Sequence, residues 1–141
     1  MSFLLSIDPG KSKCGIVLVD SLKEEVIDGQ VIPSEALLNS IRLFDNDFDI
    51  EKIFLGNGTS SSKIKEILID FADVQLIDEY GTTLKARKRY WELWPPKNWR
   101  KLIPRDLLMP PQELDAVAAL VLLENHLQKQ LKWDKQPSFK I

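Results

Sequence analysis

Three short apolar stretches, residues 3–7, 15–19 and 24–32, follow one another with gaps too short to hold a helix. Strands joined that closely pair antiparallel, because a parallel pair needs a crossover of a dozen or more residues. The first stretch is ended by Asp8-Pro9-Gly10, and Pro9 disfavours helical angles at Asp8, so that carboxylate sits extended at the strand's end. Asp28-Gly29 marks a bulge or a further tight turn in the third stretch. From Pro33 the period changes. Residues 33–44 read as a helix with Leu37, Leu38 and Ile41 on one face, 45–51 as an acidic linker, and 53–55 as a short buried strand. The loop Gly56-Asn57-Gly58-Thr59 opens a helix over about 60–71, and 74–77 is a fifth strand. A helix over 82–94, a Pro-rich basic loop over 95–110 and a last helix over 111–130 complete the pattern. A meander followed by strands alternating with helices predicts an α/β fold, a mixed five-stranded sheet with helices on both faces. Residues 1–131 are expected to form one domain and 132–141 a flexible C-terminal tail.

A chain of 141 residues, 44% of them hydrophobic, buries about two thirds of the surface its unfolded form exposes, so its core needs no disulfide. The single Cys14 fits a reducing compartment and reads as a small buried hydrophobe. Residues 1–7 are too short for a secretory apolar region and lack a basic start, and no stretch approaches the roughly 18 apolar residues of a membrane span. Secreted, membrane and disordered classes drop out, and a cytoplasmic location is expected.

The net charge of −2 conceals a segregation. Residues 85–105 hold eight basic residues against Glu92 alone, a local charge of +7, while the remainder carries −9. Trp91, Trp94, Trp99 and Tyr90 lie in the same stretch. Cations interleaved with aromatics are the make-up of an electrostatic groove with stacking platforms for nucleic acid. Ala86, Tyr90, Leu93 and Trp94 share one helical face and are expected in the core, which leaves Trp91 and Trp99 as the stacking candidates. The candidate nucleic-acid-binding residues are Lys11, Lys85, Arg87, Lys88, Arg89, Trp99, Arg100 and Lys101.

Asp8 ends the first strand and Glu79 ends the fifth. If those strands are parallel neighbours, both carboxylates leave the same carboxyl edge, where open α/β sheets place their sites. Asp115 lies in the opening turns of the last helix, beside Ala116, Ala118 and Ala119, small residues that permit close approach to the sheet. Carboxylates gathered from three remote segments repel unless a cation neutralises them, and hard oxygen ligands suit Mg²⁺, with Mn²⁺ as a substitute. Each acid also has a plainer reading: Asp8 as a turn residue, Glu79 as an exposed strand-end acid, Asp115 as a first-turn residue favoured by the helix dipole. Asn57, Thr59 and Ser60 fit either a phosphate at a helix N-terminus or a plain N-cap, and His126 reads as a surface histidine.

Four blocks, Ile7-Asp8-Pro9-Gly10-Lys11-Ser12-Lys13-Cys14-Gly15, Phe54-Leu55-Gly56-Asn57-Gly58-Thr59, Asp78-Glu79-Tyr80-Gly81-Thr82-Thr83-Leu84-Lys85-Ala86-Arg87 and Leu114-Asp115-Ala116-Val117-Ala118-Ala119, resemble in order those of the YqgF/RuvC-like resolvases of the RNase H-like superfamily, the YqgF branch above all. The resemblance implies an RNase H-like fold and a metal-dependent endonuclease with Asp8, Glu79 and Asp115 as catalytic and metal-holding residues. It further implies processing of the 5′ end of precursor 16S rRNA or, by the RuvC relation, cutting of Holliday junctions and other branched DNA. Tyr80 stands where the family usually has Arg, and Gln112 where RuvC carries a fourth carboxylate. Two other functions stay open. An actin-like or sugar-kinase ATP-binding module has similar Asp-x-Gly and Gly-rich loops but needs a second domain, and a nucleic-acid-binding protein without catalysis is the other. The expected partner is structured RNA or branched DNA, without a membrane, the chain being monomer or homodimer.

Overall fold

Alternate side chains along a strand point to opposite faces, and this chain fills both faces with apolar residues. The computed structural model describes residues 2–58, 61–104, 107–110 and 113–139, with Ser138 and Phe139 described by backbone alone. Strands β1 (Phe3–Asp8), β2 (Lys13–Asp20) and β3 (Glu25–Pro33) form the expected antiparallel meander, with Asp8 opposite Gly15. Strand β4 (Ile50–Gly56) runs parallel to β1, and β5 (Asp73–Ile77) parallel to β4, giving the order β5-β4-β1-β2-β3. The mixed five-stranded sheet is therefore as expected and consistent with an RNase H-like fold. A two-residue strand, β6 (Ser138–Phe139), adds to it beside β3. The irregularity in β3 is a bulge: Leu18 faces Asp28 while Val19 faces Val26, leaving Ile27 as the extra residue.

Helix α1 (Leu37–Asp47) follows a 3₁₀ turn over Ser34–Ala36, and α2 (Ser61–Leu68) follows the Gly56 loop. Together they cover one face, over Leu5, Ile7, Ile16, Leu18, Ile53 and Leu55. Helices α3 (Thr82–Leu93) and α4 (Asp115–Leu127) cover the other, over Leu4, Val17, Val19 and Phe54. Residues 45–51 are not a linker, since α1 runs to Asp47 and β4 starts at Ile50. The last helix begins at Asp115; Pro111 and Gln112 lie outside the described residues. Every residue of α4 from Ala116 to Glu124 is buried, so this helix is clad all round, by the sheet on one side and α3 on another. No helix among the described residues is long and apolar enough to cross a membrane.

Two expectations about packing differ. Trp91 is no stacking platform: it is 4% exposed, and its indole N–H donates to the Leu108 carbonyl at 3.3 Å. Residues 132–139, expected as a flexible tail, lie against the body. Trp133 is buried with its ring in the space left by Gly29, Lys132 exchanges backbone hydrogen bonds with Glu24 and Val26, and β6 pairs with β3. A large indole facing a glycine on the sheet is a fit that local periodicity does not signal.

Arg89 binds α3 to α4. Its guanidinium donates to both Glu124 oxygens at 3.0 and 2.9 Å and to the Leu131 carbonyl at 3.0 Å, and Glu124 also accepts the Leu131 N–H at 2.8 Å. Both side chains are nearly closed to solvent, at 11% and 8% exposure. Removing one partner from such a pair strands the other charge, whereas replacing both with apolar groups is far milder. Glu124→Leu should therefore cost about 3–5 kcal/mol in urea unfolding, and Arg89→Met with Glu124→Leu should recover most of that loss. A double variant as unstable as the single one would contradict this account.

Candidate active site

Asp8 is the last residue of β1, and Glu79 lies two residues beyond the end of β5. The two strands are not neighbours, because β4 lies between them. Glu79 reaches Asp8 by crossing the end of β4, where Gly56 offers no side chain. A Cβ at Gly56 would collide with the Glu79 carboxylate, and one at Gly58 would stand 2.9 Å from its Oε2. Asn57, between them, accepts the Glu79 N–H on Oδ1 at 3.2 Å and donates its own N–H to the Ile77 carbonyl at 2.9 Å. The Gly56-Asn57-Gly58 loop is thus a cradle for Glu79. The two glycines in the sequence were the signal for it, although they read there as the start of a phosphate loop. Thr59 and Ser60 lie outside the described residues.

Asp115 enters from the opposite face as the first residue of α4. A Cβ at Gly15 would overlap the Asp115 carbonyl and stand 2.6 Å from the Ala116 nitrogen, so only glycine there lets the helix start this close to β2. Since Gly15 faces Asp8 across the β1–β2 ladder, the same contact sets Asp115 beside Asp8. The loop after Asp8 is braced by Ser34, whose hydroxyl donates to the Gly10 carbonyl at 2.7 Å and whose N–H donates to Ser12 at 2.9 Å.

The three acids act on one another. Asp8 is pushed from an ordinary carboxylate value of 3.8 up to about 8, first by burial, then by its hydrogen bond to Glu79, then by the charges of Glu79 and Asp115. Asp115 is also raised, by burial and by Glu113, while its own backbone N–H and Lys13 pull it down. Lys13 forms an ion pair with Glu113 at 2.8 Å, and that bond raises its own pKa. Glu113 precedes α4, so it is tied to β2 and not carried on the helix. Among the described residues no three His, Cys, Asp or Glu side chains stand close enough together to hold a metal ion between them. Asp8 and Glu79 are nonetheless hard oxygen donors held in contact, with Asp115 near, and Mg²⁺ is commonly held by one or two carboxylates completed by water and substrate phosphate. The donor set fits such an ion.

The eight expected nucleic-acid-binding residues separate in the structure. Lys11 is exposed on the loop after Asp8, and Lys85 and Lys88 are exposed along α3. Trp99, Arg100 and Lys101 are exposed on a 3₁₀ turn, Asn98–Leu102. Arg89 is instead committed to Glu124 inside the α3–α4 interface, and Arg87 is half-buried and donates to the Leu108 carbonyl at 3.4 and 3.3 Å. Arg105 lies outside the described residues. Asp78 accepts the Tyr80 N–H at 3.0 Å, a turn contact, and Tyr80 itself is exposed. His126 is exposed, its ring 4.9 Å from that of Phe54.

No family model matches this sequence. A protein of Chlorobium phaeobacteroides (strain BS1), provisionally named pre-16S rRNA nuclease, is 27% identical over 139 aligned positions that cover 89% of this chain and 91% of the relative. That similarity is spread over nearly the whole of both chains.

A raised carboxyl pKa has a sign in stability. The folded chain keeps the Asp8 proton in a window, from about 4 to about 8, where the unfolded chain has lost it, so stability falls as pH rises through that window. In chelator, the melting temperature should decline between pH 4 and pH 8, and Asp8→Asn should flatten the decline and melt higher at pH 8. An unchanged slope in Asp8→Asn would show that the carboxyl is not held as described.

Proposed function

We propose that the chain is a nuclease of the YqgF-like kind that hydrolyses phosphodiester bonds in structured nucleic acid, with precursor 16S rRNA in the cytoplasm as its substrate. The observation that carries this reading is the contact of Asp8 with Glu79 inside the field of Asp115 at the carboxyl edge of the sheet. Burying like charges together is costly for a domain of this size, and such an arrangement suits a site whose ligand is a cation. The likeness to a protein named as a pre-16S rRNA nuclease supports the choice of substrate.

Asp8, Glu79 and Asp115 would hold Mg²⁺, which supplies charge neutralisation and polarises a phosphoryl oxygen of the substrate. The chain's own residues set the stage for it. Gly56 and Gly58 leave the space in which Glu79 crosses to Asp8, and Asn57 fixes the backbone that carries it. The first turn of α4 presents Asp115 where the helix dipole favours a negative charge. Lys11, on the loop that follows Asp8, is placed to meet a substrate phosphate, and Lys85 and Lys88 extend the positive surface along α3.

Asp8→Asn, Glu79→Gln and Asp115→Asn should each lower cleavage of a precursor rRNA substrate by orders of magnitude, and pairs of them should cost little more, because groups acting as a unit are strongly non-additive. Gly56→Ala should be nearly as harmful although it removes no ligand, since its methyl occupies the path of Glu79. Excess chelator should abolish cleavage and Mn²⁺ restore it. Retained activity in one acid variant removes that residue from the site. ATP hydrolysis without cleavage in the same preparation would replace the reading with a nucleotide-binding module.

A further inference from the structure

A second concavity lies at the far end of α3. Tyr90 and Trp94 line it, their rings meeting at 5.1 Å, and Trp94 rests on the buried Trp133 at 5.3 Å. The Trp94 indole N–H donates to the Asp134 carbonyl at 3.1 Å, which fixes the ring. Trp99 stands in the same cleft, 66% exposed. It follows Asn98, which adopts a left-handed φ of 60°, a conformation few residues other than glycine and Asn accept readily. The Arg100 guanidinium lies 5.8 Å from the centre of the Trp99 ring. Lys97 and Arg100 line the cleft against one acid, Asp134, Lys101 follows on the same turn, and no carboxylate pairs with any of the three cations among the described residues.

An exposed indole beside unpaired cations, in a chain that is acidic elsewhere, is a surface for a negatively charged partner that carries flat apolar faces. Nucleic acid has both, but in a duplex the base faces are stacked inside, and only unpaired bases offer them to a protein. We propose that this cleft is an exosite for single-stranded nucleic acid, in which an unpaired base stacks on Trp99 while Lys97, Arg100 and Lys101 neutralise the adjoining phosphates. The exosite rests on the nuclease reading for its purpose and narrows the substrate to one with an unpaired segment. The twelve residues of α3 separate it from the Glu79 end by about 18 Å at 1.5 Å per residue. At ~3.4 Å per stacked nucleotide, that is roughly five nucleotides between the strand held at Trp99 and the bond at the carboxylates.

The test is fluorescence anisotropy of a labelled 12-nucleotide uridine-rich RNA with the full chain, in chelator and across a salt series. Trp99→Ala should weaken binding roughly 5–150-fold with an unchanged melting temperature and salt slope. Trp99→Phe should retain most of the affinity, and Arg100→Ala should reduce the salt slope by about one. Lys63→Ala with Lys65→Ala, on α2, should leave the slope unaltered. Equal binding by wild type and Trp99→Ala overturns the exosite, whatever the cleavage result. So does a change of oligomeric state in Trp99→Ala with RNA binding intact, which would assign the cleft to a protein surface. Binding that depends on Trp99 in a chain that cleaves no nucleic acid keeps the exosite and overturns the nuclease reading alone.

Discussion

The first turn of α4 rests on Gly15 more closely than any side chain would permit, and much else in the molecule depends on that contact. It seats a helix buried from Ala116 to Glu124 across the centre of the sheet, with the Ser6 hydroxyl donating to the Ala119 carbonyl at 2.7 Å. It also fixes where the helix begins, and therefore where Asp115 stands relative to the end of β1. A methyl at Gly15 would lift the helix start, separating the acids and opening the Leu4–Val17–Phe54 face of the core together. Packing and site geometry are here one constraint, so substitutions that damage one are expected to damage the other.

The site is stabilised against its own chemistry from outside. Asp8 is held where its charge is disfavoured, and nothing within the three acids repays that cost. What holds them is scaffolding around the acids: the Asn57 amide on the Glu79 backbone, the Ser34 hydroxyl on the Asp8 loop, and the ion pair of Lys13 with Glu113 between β2 and the start of α4. Each links two segments remote in sequence. A cation bound there would offset the repulsion among the acids, which is the physical sense of the proposed metal site.

The fold was legible from the sequence because its signals are local. Turn-length gaps made the meander, the change of period at Pro33 marked the start of the helical layers, and the alternation of strands with helices placed helices on both faces. What was not legible depends on distant partners. Gly56 looked like part of a phosphate loop because nothing nearby says that Glu79, 23 residues on, crosses it. Trp133 looked like part of a frayed end because its complement is the absent side chain of Gly29. The three acids could be named from motif blocks, but the place of β4 between the strands that lead to Asp8 and Glu79 was not visible, since strand order is a property of the whole sheet.

The basic stretch illustrates why charge along a sequence is not charge on a surface. Its residues sit on a helix packed against α4, and helical periodicity divides them. Arg89 faces inward, where only its hydrogen bonds to the Glu124 carboxylate and the Leu131 carbonyl make its burial tolerable. Arg87 turns to the Leu108 carbonyl and helps hold the returning loop. Lys85 and Lys88 stay in water. Arginine, with its planar fork of donors, suits the first task, and lysine, a compact and strongly hydrated charge, suits the second. On the 3₁₀ turn, by contrast, Arg100 pairs with no carboxylate among the described residues and lies beside an exposed indole. An arginine left on the surface beside a tryptophan, in a chain whose other helical arginines of this stretch are used internally, is the part of the positive charge that structure alone does not consume.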